Sequence, residues 1–332
     1  EIWQYIKEHD NGITNFHFEL SADILTKKEI EYVRTFRDGL VQFEIGVQST
    51  NPDTIQAIHR KMDLDRLKEN VAMVHQKRNI HQHLDLIAGL PYEDLQSFHR
   101  SFNDVYAMQP DQLQLGFLKV LKGSPMHRMA KEYGIQYHSK PPYEDVRTLK
   151  GIEEVVERYY NSLQFESSLH YLVEQEQDAF AFFEKLALFF TQNGYFNVKQ
   201  SRMQNYEILY AFAKKEQRNV DIVKELLIYD LYARENVKKE PDFLENRMLT
   251  EEKKEKIRAF YQSEAQREKY LPDYPDYNWK QVMRMTHMEW FSYDIVQYLQ
   301  DGILYEKKTL VLFDYQKRNP LSYQAKVQIV RE

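Results

Sequence analysis

Apolar positions in the first 140 residues recur with two periods that take turns along the chain. Alternation with period two marks ITNFHFEL (13–20), LVQFEIGVQ (40–48), IHQHLDLIAGL (80–90) and QLQLGFLKVL (112–121) as strands. Between them, LTKKEIEYVRTFRD (25–38), the broken pair PDTIQAIHRK and LDRLKENVAMVHQKRN, and EDLQSFHRSFNDVYAM (93–108) space their apolar residues three and four apart, as helices do. Strands alternating with helices of this length describe βαβ units with right-handed crossovers and a parallel sheet, so the expected fold class is α/β. Four such units make a small open sheet or part of a barrel.

After Pro141-Pro142 the texture changes. YEDVRTLKGIEEVVERYYNS (143–162), QDAFAFFEKLALFFTQNG (177–194), QNYEILYAFAKK (204–215) and NVDIVKELLIYDLYAREN (219–236) all carry the helical period. Their stripes are rich in Phe, Tyr and Leu, which are expected to form core and helix–helix contacts. Strand-like runs return in YEKKTLVLFDYQ (305–316) and YQAKVQIV (323–330), joined by the turn RNPLS into an expected antiparallel pair. The expected domains are therefore 1–140, α/β, and 141–332, mainly helical with a terminal β hairpin.

Composition narrows the function classes. The 332 residues are 42% hydrophobic and 29% charged, as in a folded globular protein, and no run reaches the roughly 18 apolar residues that a membrane span needs. A formal net charge of -6 without a long basic run argues against a nucleic-acid groove. EEKKEKIR (251–258) alternates in sign and reads as a solvated helix face. The chain has no Cys, which excludes disulfides and thiolate metal sites within it and fits a cytoplasmic protein. It opens at Glu1 in the helical phrase EIWQYIKEHD, so a piece of a longer protein is expected.

Period two places His81, His83 and Asp85 on one face of a strand, with Leu84 and Leu86 on the other. A His-x-His pair with a nearby Asp could begin a metal-dependent hydrolase site. Gly89, followed by Leu90-Pro91, marks a tight turn that lets a ligand approach the backbone. Glu19 near the end of the first strand offers a carboxylate to a ribose hydroxyl or an amine, and Arg60 offers a planar fork to a carboxylate. Glu19, Gln48, Arg60 and Asp85 stand out as a set because three of them fall at or just after the carboxyl ends of consecutive strands, where α/β proteins bind ligands, and Arg60 follows from the helix between two of them.

GVQS (46–49), Asn51-Pro52, Arg60 and DLIAGLP (85–91) with Glu93 resemble the middle strands of the radical S-adenosylmethionine enzymes. The resemblance is to the group that often carries a cobalamin-binding domain and includes relatives of the anaerobic magnesium-protoporphyrin ester cyclase. It covers residues 1 to 140 and implies strands three to six of a partial TIM-type (β/α)6 barrel, with an uncharacterised helical domain after it. It implies that Glu19 lies near the methionyl or ribose part of the cofactor, and that Gln48 and Ser49 serve its ribose and carboxylate side. Arg60, borne on a helix, would hold the methionyl carboxylate, and Asp85 the ribose hydroxyls. Ile87 would pack on adenine beside the Gly89 turn, with the strand around Phe117 reaching it through backbone groups. Two positions depart from the family's glycines, Asp85 and Tyr92.

A third departure is larger. The family holds a [4Fe-4S] cluster on Cys-x3-Cys-x2-Cys, and this chain has no Cys. The implied parent would use S-adenosylmethionine, the cluster and cobalamin on a small-molecule substrate, with the cluster and cobalamin domains lying elsewhere in the same polypeptide. The chain alone is expected to bind none of these cofactors, to be catalytically silent, and to be prone to self-association through an uncovered sheet face. A non-enzymatic α/β binding module is the alternative, with the hydrolase behind it.

Overall fold

Alternation in the sequence becomes a sheet with two unlike faces. The computed structural model describes residues 1–124, 126–128, 143–237, 240–244 and 250–331. The expected division at residue 140, with Pro141-Pro142, lies outside the described residues. Two compact units form, Glu1–Leu163 with Glu176–Gly194, and Gln164–Gln175 with Tyr195–Glu332.

In the first unit, β1 (Phe16–Leu20), β2 (Val41–Gln48), β3 (His81–Ala88) and β4 (Gln112–Phe117) are parallel and lie in the order β1-β2-β3-β4. This is the sequential parallel sheet that the βα repeats predict. The helices are α1 (Ile2–Glu8), α2 (Lys27–Val33), α3 (Pro52–Ala57), α4 (Leu64–His75) and α5 (Leu95–Tyr106). Their starts are written in the sequence. Thr26 and Glu29 form a capping box on α2, Asn51 caps α3 ahead of Pro52, and Asp63 and Asp94 accept from the first turns of α4 and α5.

One face of the sheet is apolar and buried through Phe43, Ile45, Val47, Leu84, Leu86, Leu113 and Leu115. Leu67, Val71 and Val74 of α4 and Phe98, Phe102 and Val105 of α5 are buried as well. Gln82 is the polar exception on this face, and its Nε2 donates to the Val71 carbonyl at 3.2 Å. The other face carries His17, Glu19, Gln42, Glu44, Gln48, His81, His83, Asp85, Gln112 and Gln114. Parallel strands normally bury both faces. A polar face on such a sheet calls for another explanation than core.

Helix α6 (Tyr143–Val155) runs into a π-helical turn, Val156–Tyr160, that brings Asn161 to the outer edge of β4. There the Asn161 amide takes the place of a neighbouring strand. Its Oδ1 accepts from Leu113 N at 2.9 Å, and its Nδ2 donates to Leu113 O at 3.0 Å. Helix α8 (Ala179–Gln192) completes the unit, with the Phe180 and Phe183 rings edge-on to Phe102 at 5.6 and 5.8 Å.

The second unit contains α7 (Glu166–Glu176), α9 (Arg202–Lys215), α10 (Val220–Arg234), α11 (Glu251–Gln262), α12 (Glu264–Tyr270), α13 (Trp279–Met285) and α14 (Ile295–Asp301). The expected hairpin is present as β6 (Glu306–Asp314) and β7 (Lys326–Val330), but it belongs to a three-stranded antiparallel sheet with β5 (Thr286–Tyr293), in the order β5-β6-β7. Strand β5 escapes a reading of pattern because it comes directly after α13 without a Gly or Pro between them. Asp230 is buried and anchors the start of α7 by accepting from the backbone N–H and hydroxyl of both Ser167 and Ser168. Among the described residues no helix is long and apolar enough to cross a membrane.

Candidate functional site

The carboxyl end of β2 departs from regular pairing. Gly46 pairs with Asp85 and Gln48 with Leu86, so Val47 is an extra residue, a bulge that re-aims the end of the strand. Gln48 takes the left-handed conformation, with φ of 70°. Its amide then lies back over Gly46, where any Cβ would collide with Gln48 Nε2. The absence of a side chain at Gly46 is what lets the end of Gln48 rest there. Arg60 joins the same spot, with Nη2 donating to the Gly46 carbonyl. Gln48 Oε1 and Arg60 Nε are both buried and have no hydrogen-bond partner.

Asp85 lies beside them as the register partner of Gly46. Its Oδ1 is 3.0 Å from His83 Nε2, with the two side chains 17% and 14% exposed. Yet neither atom has a partner in hydrogen-bonding geometry. The contact is one of charge and proximity, which leaves Asp85 Oδ1 open to a better-aligned donor. Burial works to lower the His83 pKa, but Asp85, Glu44 and Gln114 outweigh it and hold the pKa above its usual value. Toward edge strand β1, Gln42 Nε2 meets His17 Nδ1 at 3.0 Å and His17 Nε2 meets Glu44 Oε2 at 2.8 Å.

Next to Gln48 the chain turns inward. Ser49 is fully buried and donates to Glu93 Oε1 at 2.5 Å, while accepting from Asn51 N at 3.0 Å. Ser101 donates to the same Glu93 oxygen at 3.3 Å and accepts from Thr50 N at 3.0 Å. Asn51 Nδ2 donates to the Tyr92 carbonyl at 2.9 Å. The loops after β2 and β3 are therefore tied together around one carboxyl group. Burial pushes the Glu93 pKa up to about 7, against the two serine hydroxyls.

The site residues expected from sequence divide into three groups. Gln48, Arg60 and Asp85 come together around Gly46. Arg60, expected on a helix, is not on one: α3 ends at Ala57, and His59 adopts φ of 54°. Arg60 N then bonds Ile55 O at 3.1 Å in a Schellman-type ending, which aims Arg60 from a loop. Asp85, expected at the carboxyl end of its strand, is the fifth of the eight residues of β3, because pairing continues to Ala88. Ile87 and Gly89 lie beyond it: Ile87 is opposite Gly116, whose missing side chain leaves room beside it, and Gly89 takes φ of 89°. Phe117 ends β4, with Lys150 Nζ 3.9 Å from its ring centre.

Glu19 is apart from this group, exposed on edge strand β1 opposite Glu44. The Ser49 hydroxyl is committed to Glu93 and Asn51. Tyr92, which stands where the resemblance has glycine, adopts φ of 61°, so the turn keeps a glycine-like backbone. Glu93, which the sequence marks only as part of the motif after Leu90-Pro91, is given no role there. No three His, Asp or Glu side chains come together as a metal site among the described residues, so the hydrolase reading finds no ligand set there.

A model of the family described as Protein of unknown function (DUF4080) matches residues 131–313, more than half of the chain. The chain belongs to the DUF4080 family. The match begins after β4, beyond the polar-faced sheet. The chain is also similar to the oxygen-independent coproporphyrinogen-III oxidase-like protein HemZ of Bacillus subtilis, 26% identical over 171 residues, 41% of this chain and 34% of HemZ. It thus spans about a third of the length of that curated relative. Among solved structures it is similar to the coproporphyrinogen III oxidase HemN of Escherichia coli, described as a radical SAM enzyme. There the identity is 19%, the TM-score 0.32, and the match covers 36% of this chain and 28% of HemN. Neither relative's description mentions cobalamin or a cyclase.

Proposed function

We propose that this DUF4080 chain is part of a radical S-adenosylmethionine enzyme and that the polar sheet face receives the adenosyl and methionyl groups of the cofactor. One observation carries the proposal. Around Gly46 the buried Gln48 Oε1 and Arg60 Nε lack hydrogen-bond partners, and the buried Asp85 Oδ1 beside them meets only the poorly aligned His83 ring at 3.0 Å. Buried polar atoms are nearly always satisfied, and a cluster of orphans at one spot suits a ligand that supplies the missing donors and acceptor. Asp85 accepts from vicinal hydroxyls, Arg60 donates to a carboxylate, and Gln48 serves either group. Ile87 gives an apolar wall for a base. In the barrel so proposed, β1 to β4 are strands three to six.

The radical chemistry of that family starts with reductive cleavage of S-adenosylmethionine at a [4Fe-4S] cluster. This chain has no Cys and cannot hold the cluster by thiolates, so it supplies the binding face and not the reductant. Cobalamin association of the parent rests on the resemblance alone, and reconstitution of the parent with cobalamin decides it.

The test is calorimetric titration of the chain with S-adenosylhomocysteine, which presents the same adenosyl and carboxylate groups without the reactive sulfonium. The missing cluster leads the sequence to an expectation of no cofactor binding by the chain alone; the unsatisfied buried atoms on the polar face reverse it, and saturable 1:1 binding is expected. Asp85→Asn and Arg60→Ala should each weaken it by about 2 to 5 kcal/mol, as loss of a desolvated charged partner does. Circular dichroism checks that each variant is folded. No binding by folded wild type, or undiminished binding by Asp85→Asn, rejects the proposal.

A further inference from the structure

The orphaned atoms around Gly46 are held in place by a turn whose anchor is a single carboxyl group. Glu93 is only 7% exposed. Its Oε1 accepts from Ser49, the residue directly after Gln48, and from Ser101 of α5. Ser101 in turn holds Thr50 N, and Ser49 holds Asn51 N, so backbone groups on both sides of the turn hang from the same oxygen through one hydroxyl each. Glu93 itself lies in the loop after β3, where Gly89 and Tyr92 both have positive φ, and that loop is pinned to the turn by Asn51. A change at Glu93 therefore reaches Gln48 through its neighbour Ser49, and Arg60 through α3.

Among the described residues no cation is a partner of Glu93. The charged groups near it are Asp94, which caps α5 through Ser97 and pushes the Glu93 pKa further up, and Asp104 of α5. Asp104 accepts from Thr50 Oγ1 at 2.7 Å and is met by Lys68 of α4 at 3.4 Å. Glu93 Oε2 is buried without a partner. An ionised carboxylate in this position would have two hydroxyl donors on one oxygen and nothing on the other. A buried charge so poorly compensated is relieved by letting water in, which loosens the turn.

We propose that Glu93 is a positioning residue whose proton holds the turn at 48–51 closed, so that ligand binding on the polar face weakens when that proton is lost. This rests on the binding role proposed above, but the tether itself is read without ligand. Because burial raises the Glu93 pKa to about 7, the change falls in the neutral range.

Two measurements on the whole chain test it. First, backbone amide shifts of Gln48, Thr50 and Asn51 are tracked by NMR from about pH 6 to about pH 8.5, across the expected ionisation. In wild type they should move together with a midpoint near that of Glu93; in Glu93→Gln, which keeps the shape and cannot ionise, that common step should vanish and leave only what the titration of His83 contributes. Second, S-adenosylhomocysteine affinity over the same range should fall several-fold more in wild type than in Glu93→Gln, which retains only the His83 contribution. A turn that does not titrate in wild type, or that titrates equally in Glu93→Gln, overturns the proposal. So does a titrating turn with pH-independent affinity in both proteins. Absence of binding at every pH rejects the ligand role of the face, and with it the link to binding, while the amide shifts still decide whether Glu93 holds the turn.

Discussion

The two faces of the four-stranded sheet are built by the same strands, one residue out of step, and they obey different rules. On the apolar face, Phe43, Ile45, Leu84 and Leu86 are at most 1% exposed, and the polar group there, Gln82, has a donor bond to spend on Val71. On the polar face, His83, Asp85, Gln48 and Arg60 each keep a buried atom without a hydrogen-bond partner. Among the described residues, buried atoms without a partner gather on the polar side, four of them against the Gln82 Oε1 of the apolar face. The difference separates the part of the sequence that holds the fold from the part that holds chemistry, within a repeat of two residues.

The largest expected effect breaks that comparison from the apolar side. Phe43→Ala removes a fully buried ring and should cost about 3 to 5 kcal/mol of stability. Its neighbour in sequence points the other way. Glu44→Gln, which keeps the size of a half-buried side chain whose ion pair is with a half-exposed His17, should change stability by about 1 kcal/mol or less. Urea unfolding of both variants checks the contrast, and equal losses would mean that the two faces do the same work.

Much of this division is legible in the sequence, and the limits have physical causes. Alternation in VQFEIGVQ and HQHLDLIA assigns each residue to a face, because a strand has a period of two and nothing else in these runs competes. The caps Thr26, Asn51, Asp63 and Asp94 mark helix starts as written. The bulge at Val47 is not legible, since one extra residue leaves no trace in composition. Nor is the end of α3, where His59, not glycine, takes the left-handed position and sends Arg60 off the helix. The pairing of Ser49 with Glu93 joins residues far apart in the chain and has no periodic signature. Strand β5 is hidden by its junction with α13.

A smaller effect sharpens the comparison through pH. The folded-state pKa of His83 is raised above its usual value of 6.5, so the stabilisation from its charged form is present below the unfolded pKa and is lost as pH rises through the folded one. Asp85→Asn should bring the His83 titration, observed by ring-proton NMR, back down. It should also flatten the decline of stability in that window. A His83 titration unchanged by Asp85→Asn would show that the charge contact across 3.0 Å carries little energy.

The central claim is that the polar face is the ligand face, and amide chemical-shift mapping with S-adenosylhomocysteine tests it most directly. The account predicts shifts at Gly46, Gln48, Arg60, Asp85, Ile87 and Gly89, with the amides of α1, of the Asn161 edge and of β5 to β7 unmoved. Shifts centred elsewhere, or none at saturating ligand, would contradict it.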